Sequence, residues 1–172
     1  MRRSLQNSCA RDGDFLKQFP SLTDPATVGA VPLPDAPETF AACHLDWSEV
    51  ERHAGSVALH RDLIALRRED PVFAAQAKGG IDGAVLDREA FVLRFFGLGS
   101  DDRLLLVNLG RDLKRPSLPE PLLAPPEGRR WDMIWSSEDI RYGGAGTPPV
   151  ETGKGWDLPG HAAVVLAPVP PS

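Results

Sequence analysis

Paired carboxylates are the first residues in this sequence that could do chemistry, because hydrolysis of a glycosidic bond is commonly run by two acids. Glu69-Asp70, Asp101-Asp102 and Glu138-Asp139 each set two acids side by side. A glycosidase holds its two carboxyl groups across a bond, roughly 5–10 Å apart. Neighbours along a strand point to opposite faces, and neighbours at a helix end splay apart, so adjacency supplies no such geometry. Asp101-Asp102 followed by Arg103 reads as a hairpin turn, and all three pairs are expected to be solvated. A hydrolase built on Glu138 or Asp139 would need a distant acid, and nothing in the sequence places one.

The other chemical groups are sparser. His53 and His60 are seven residues apart on one predicted helix, about 10 Å, too far to share a metal ion. His44 adjoins Cys43, a spacing that rarely suits two ligands of one ion, and His161 stands alone. Ser136-Ser137 belongs to no G-x-S-x-G elbow. Gly143-Gly144-Ala145-Gly146 runs into Thr147-Pro148-Pro149 instead of the helix N-terminus that a phosphate cradle requires. Trp47, Trp131, Trp135, Trp156 and Tyr142 could stack on sugar rings. The alternation of Trp131 and Trp135 favours core packing, which leaves Tyr142 and Trp156, in glycine-rich segments, as the candidates for an exposed platform. No catalytic residue, cofactor ligand or metal ligand is assigned.

The totals narrow the function classes. The 172 residues carry a formal charge of −5, with a pI near 5.3; a nucleic-acid binder usually shows a basic stripe instead. Two cysteines, Cys9 and Cys43, make no disulfide framework; free thiols are the preferred reading, although a bridge between them is compatible with the sequence. No run of about 18 apolar residues predicts a membrane span. Met1-Arg2-Arg3 is followed by no apolar stretch, so no secretory signal is expected and the cytoplasm is the default location.

The elements that must position these groups follow from periodicity. Residues 1–14 show none and are expected to be a disordered leader. Residues 15–47 are expected to form an extended loop, because 20–40 contain five prolines. A helix is predicted over 48–71, with Ser48 and Glu51 as a capping box, Leu59, Leu63 and Leu66 as an apolar stripe, and Pro71 as its stop. From residue 80 to 168 the period changes to two. Strands are predicted at 91–96, 103–109, 130–135 and 161–167, with shorter candidates at 83–86, 121–124 and 155–158. Trp131, Met133 and Trp135 should share one face, and 103–109 is apolar on both faces, as a strand between two layers would be. Short strands separated by Gly/Pro turns predict a mainly β fold, an antiparallel sandwich preceded by one long helix and a proline-rich loop.

Several segments resemble a known family. PDAPETFAACHLDWSEVERHAGSVALHRDLIALRREDPVF (34–73) is similar to the end of the catalytic barrel in malto-oligosyltrehalose trehalohydrolases, members of glycoside hydrolase family 13 in the α-amylase superfamily. FVLRFFG, RLLLVNLGRDL, WDMIWSSEDIRYGG and LPGHAAVVLAP then follow the strand order of that family's C-terminal β-domain. The resemblance covers residues 14–167. It implies a parent that releases trehalose from maltooligosyltrehalose, with catalytic acids on a (β/α)₈ barrel upstream of the matched region. A barrel needs about 250 residues, so none fits here and no catalytic residue carries over.

The expectation is therefore a non-catalytic C-terminal part of a trehalohydrolase-like glycosidase. Its alternative is a stand-alone α-glucan-binding or interaction module using Tyr142 and Trp156. Without a barrel, the apolar side of helix 48–70 should favour self-association or marginal stability. Each large side chain left exposed forfeits roughly 1.5–3 kcal/mol.

Overall fold

The computed structural model describes residues 36–152 and 154–171. The expected leader 1–14, Cys9 and the first part of the expected loop (15–35) lie outside them. The chain divides between Trp47 and Ser48 into two units. In the first, the described part of the expected loop contains a short helix, α1 (Pro37–Ala42), begun by Pro37 in its first turn.

In the second unit the predicted single helix is three. α2 (Glu49–Arg52) is separated from α3 (Ala54–Glu69) by His53, whose φ of −115° and ψ of 37° leave the helical region. The predicted capping box is absent. Ser48 has helical dihedrals and makes no side-chain cap bond; its hydroxyl accepts from Arg52 at 3.3 Å. Pro71 ends α3 by pushing Asp70 into an extended conformation, and the same proline opens α4 (Pro71–Ala75). Asp70 caps α4 by accepting from the Val72 and Phe73 amides at 2.9 and 3.2 Å.

The strands are β1 (Ile81–Asp87), β2 (Ala90–Phe95), β3 (Arg103–Asn108), β4 (Leu113–Arg115), β5 (Arg130–Ser136), β6 (Glu151–Thr152), β7 (Gly155–Leu158) and β8 (Ala162–Val169). They form a five-stranded sheet in the order β1-β2-β3-β8-β5 and a three-stranded sheet in the order β4-β7-β6. Every pairing is antiparallel. The 121–124 segment, predicted as a strand, is instead a 3₁₀ turn at Pro121–Leu123, whose amide at Leu122 is capped by Glu120.

Register explains which side chains form the core. Val92 pairs with Leu106, Leu106 with Val164, and Leu104 with Leu166, so one face of the large sheet presents a continuous aliphatic layer. Those five residues are at most 1% exposed, and they pack with Leu113 and Leu158 of the small sheet. This is the sandwich interior. The opposite face carries Phe95, Leu105, Val107 and Val165 and is covered in part by α3 and α4. Phe73 of α4 meets Phe95 edge-on, with ring centroids 4.8 Å apart. Both faces of β3 are thus apolar because each has a neighbouring layer.

One predicted face is broken by a bulge. The register shifts between Met133 and Trp135, so that Met133 opposes Leu166 while Trp135 opposes Val165. Ile134 is the extra residue, and a single insertion turns every later side chain over. Trp131 is therefore buried in the sandwich, whereas Trp135 is half-buried on the helix-facing side.

Candidate functional site

Asp70, Asp101, Asp102, Glu138 and Asp139 are placed by these elements into three polar clusters. The first closes one end of the sandwich. Asp102 is only 6% exposed, which corrects the expectation that the Asp101-Asp102 pair is a solvated turn. Its Oδ2 accepts from Nε and Nη2 of Arg94 at 2.9 and 2.7 Å, and its Oδ1 accepts from the Gly97 amide at 2.9 Å. Arg94 also donates to the Leu122 and Ala124 carbonyls and lies over the Trp131 ring at 5.4 Å. A buried guanidinium needs this full set of acceptors, since an unpaired buried charge is strongly destabilising.

The second cluster ties the helices to the sheet. Arg103 donates through Nε to Asp70 Oδ2 at 2.7 Å and through Nη1 to Asp101 Oδ1 at 2.6 Å. Burial alone would lower its pKa, but the Asp101 and Asp70 carboxylates outweigh burial and raise it. Asp70, expected to be solvated with Glu69, uses one oxygen as the α4 cap and the other as the partner of Arg103. Its side chain is 10% exposed.

The third cluster is the loop after β5. Asp139 accepts from the Arg141 amide at 2.8 Å and pairs with its guanidinium at 3.1 Å. That side-chain bond, then the backbone bond, hold the Asp139 carboxyl below its usual range. Such a group is a poor proton donor near neutral pH. Glu138 is engaged through its own loop: its backbone carbonyl accepts from Gly146, and its Oε2 lies 3.5 Å from the Ala145 amide. Arg141 pairs with Asp62 as well, at 3.1 Å, and so stands between that carboxylate and Asp139. Ser136 Oγ and Thr147 Oγ1 form a hydrogen bond at 2.5 Å that closes the loop's base.

The sugar-platform candidates lie on different elements. Tyr142 sits in a 3₁₀ turn, Ile140–Tyr142, against α3 and Trp135, with its hydroxyl donated to Asp62 at 2.6 Å. Trp156 lies on β7, half-buried against the sandwich core and beside Lys114, Arg115 and Lys154. Among the described residues no three His, Cys, Asp or Glu side chains are grouped to hold a metal ion. His60 Nδ1 faces its own helix at the Ser56 carbonyl, 2.7 Å away. No described helix is long and apolar enough to cross a membrane.

An apolar groove of about 600 Å³ lies between α3, α4 and the large sheet, lined by residues such as Leu63, Leu66, Phe95, Val107 and Trp135. Sequence reasoning missed the residues that organise the clusters: Asp62, Arg94 and Arg141. Their signal is tertiary, since each partner comes from another element. Asp70 was read only as the solvated end of a helix, although Asp followed by Pro is also a helix-start signature.

Comparison with known proteins fits this geometry. Residues 78–165, just over half of the chain, match the family described as "Domain of unknown function (DUF3459)". The chain is 38% identical over 126 residues to the malto-oligosyltrehalose trehalohydrolase of Deinococcus radiodurans, covering 66% of this chain and 20% of that protein. It is 56% identical over 63 residues to the enzyme of that name from Arthrobacter ramosus, covering 36% of this chain and 10% of the relative. For Brevibacterium helvolum the figures are 37% over 122 residues, 68% of this chain and 20% of the relative. The chain thus spans about a fifth or less of the length of these relatives, and the shared segment falls in their C-terminal portion. With its antiparallel sheets in place and over half its length matched, this chain belongs to the DUF3459 family and corresponds to a C-terminal part of the trehalohydrolases.

Proposed function

We propose that this chain is a non-catalytic C-terminal module of a glycoside hydrolase of the trehalohydrolase type, acting with a catalytic domain that it helps to hold in place. The observation that carries the reading is the 126-residue match, which falls on a fifth of a relative named for hydrolysis. The polar clusters support it, because Asp70, Asp101, Asp102 and Asp139 are each engaged by an arginine. In this reading the parent belongs to glycoside hydrolase family 13, works in trehalose formation in the cytoplasm, and hydrolyses maltooligosyltrehalose on acids outside the segment described above. The outward apolar residues of the helices, Val50 and Ile64 among them, are the ones a catalytic domain would cover.

The test is release of trehalose from maltooligosyltrehalose by the purified 172-residue chain. The expected result is none. Release that disappears on Glu138→Gln or Asp139→Asn would place an active site in the β-domain and overturn the reading.

A further inference from the structure

The loop after β5 has a feature that neither the family match nor the proposed hydrolase role accounts for. It is wound on itself and then fastened to α3. Inside the loop, the Tyr142 and Gly144 amides both bond the Asp139 carbonyl, at 2.9 and 3.2 Å, and the Gly146 amide bonds the Glu138 carbonyl at 2.7 Å. Outward, the Tyr142 hydroxyl donates to Asp62 Oδ2 at 2.6 Å, and Arg141 Nη1 reaches the same oxygen at 3.1 Å. Backbone approaches backbone as well: a Cβ on Gly55 would stand 3.0 Å from the Tyr142 carbonyl oxygen. Helix and loop therefore meet at Gly55 and again at Asp62, two turns apart on one side of α3.

We propose that loop 136–147 is a latch that makes α3 a fixed part of the β-domain, with the Tyr142–Asp62 hydrogen bond as its fastening. The folded unit then extends upstream of residue 78, where the family match begins, and takes in the helix. The outward residues of α3 are consequently presented in one orientation relative to the sheets. This is a property of the chain itself and does not depend on the parent's reaction.

The chemistry of the fastening makes it directly observable. A phenol donating to a carboxylate forms a charge-assisted bond that exists only while the phenol keeps its proton. The groups facing it are Asp62 from α3 and Arg141 from the loop, with Asp139 paired behind Arg141 and the uncharged Trp135 indole from β5. Burial first, then the Asp62 carboxylate, push the Tyr142 pKa up. Tyr142 is the chain's only tyrosine, so its phenolate absorbance reports on this bond alone.

The experiment titrates that absorbance in the full chain, in Asp62→Asn and in the urea-unfolded chain, and follows amide exchange of residues 54–69 in Asp62→Asn and Tyr142→Phe. The expected midpoint in the native chain lies above the ordinary tyrosine value of about 10 and falls in the other two samples. The helix amides should exchange about tenfold faster or more in both variants, the loss expected for one hydrogen bond to a charged group. Amides at Leu104 to Leu106 should be unaffected. A midpoint unmoved by Asp62→Asn, or helix exchange equal to wild type in both variants, would overturn the latch.

Discussion

The two faces of the five-stranded sheet are held by different physics. On the sandwich side, Val92, Leu104, Leu106, Val164 and Leu166 are close-packed against the small sheet, and burial of apolar area is the main stabilising term. On the helix side the packing is open. A groove of about 600 Å³ remains beneath α3 and α4, and Ile64 stays 56% exposed. What fixes the helices there is a set of polar fastenings, Arg103 to Asp70 near the end of α3 and Tyr142 to Asp62 near its middle, with the Phe73–Phe95 ring pair added on α4. An apolar layer supplies bulk stability, whereas directed bonds fix orientation.

That contrast can be broken from either side. The largest effect should come from the sandwich. Leu104→Ala removes a fully buried side chain and should lower stability by about 2–5 kcal/mol in a denaturant titration; a change below about 1 kcal/mol would mean the interior is not close-packed. Next is Asp70→Ala, which strips the α4 cap and leaves Asp101 as the carboxylate partner of the buried Arg103. The expected loss is about 3 kcal/mol, partly recovered in the double variant Asp70→Ala/Arg103→Met. Leu63→Ala, at the groove, should cost about 1 kcal/mol or less, since the side chain is already 39% exposed.

A further effect is one of pH. Tyr142 is raised in the folded chain, so its contribution is complete below the unfolded tyrosine value, near 10, and is lost as pH rises through the folded value. Melting temperature should fall more steeply on the alkaline side in wild type than in Tyr142→Phe. Parallel curves would contradict the assignment. The lowered Asp139 acts in the opposite direction, its contribution being present above the unfolded carboxylate range and lost in acid.

Much of the sandwich was legible in the sequence because alternation is local. The runs that became β2, β3, β5 and β8 carry their own period, and the match of 155–158 to β7 follows from the turn residues around it. Features that depend on one inserted residue or on a distant partner were not legible. The Ile134 bulge turned Trp135 to the helix side, and no pattern within β5 announces it. The break at His53 falls beside Gly55, where the Tyr142 backbone comes close. Asp102 looked like a turn residue because its partner, Arg94, lies eight positions away on β2. The β4 and β6 strands, of three and two residues, are too short to show a period. Of the adjacent acids, Asp70, Asp101, Asp102 and Asp139 were read as solvated, and their partners became visible only in the fold: Arg103 for Asp70 and Asp101, Arg94 for Asp102 and Arg141 for Asp139.

The central claim is that the helices and the β-domain are one folded module. It is tested most directly by comparing thermal unfolding of residues 48–172 with that of 78–172, the second beginning where the family match begins. The account predicts a single cooperative transition for 48–172 and a lower, broadened one for 78–172, which lacks Asp62, Asp70 and the cover over Phe95. Identical transitions in the two chains would show that the helix side contributes nothing to the module and would contradict the account.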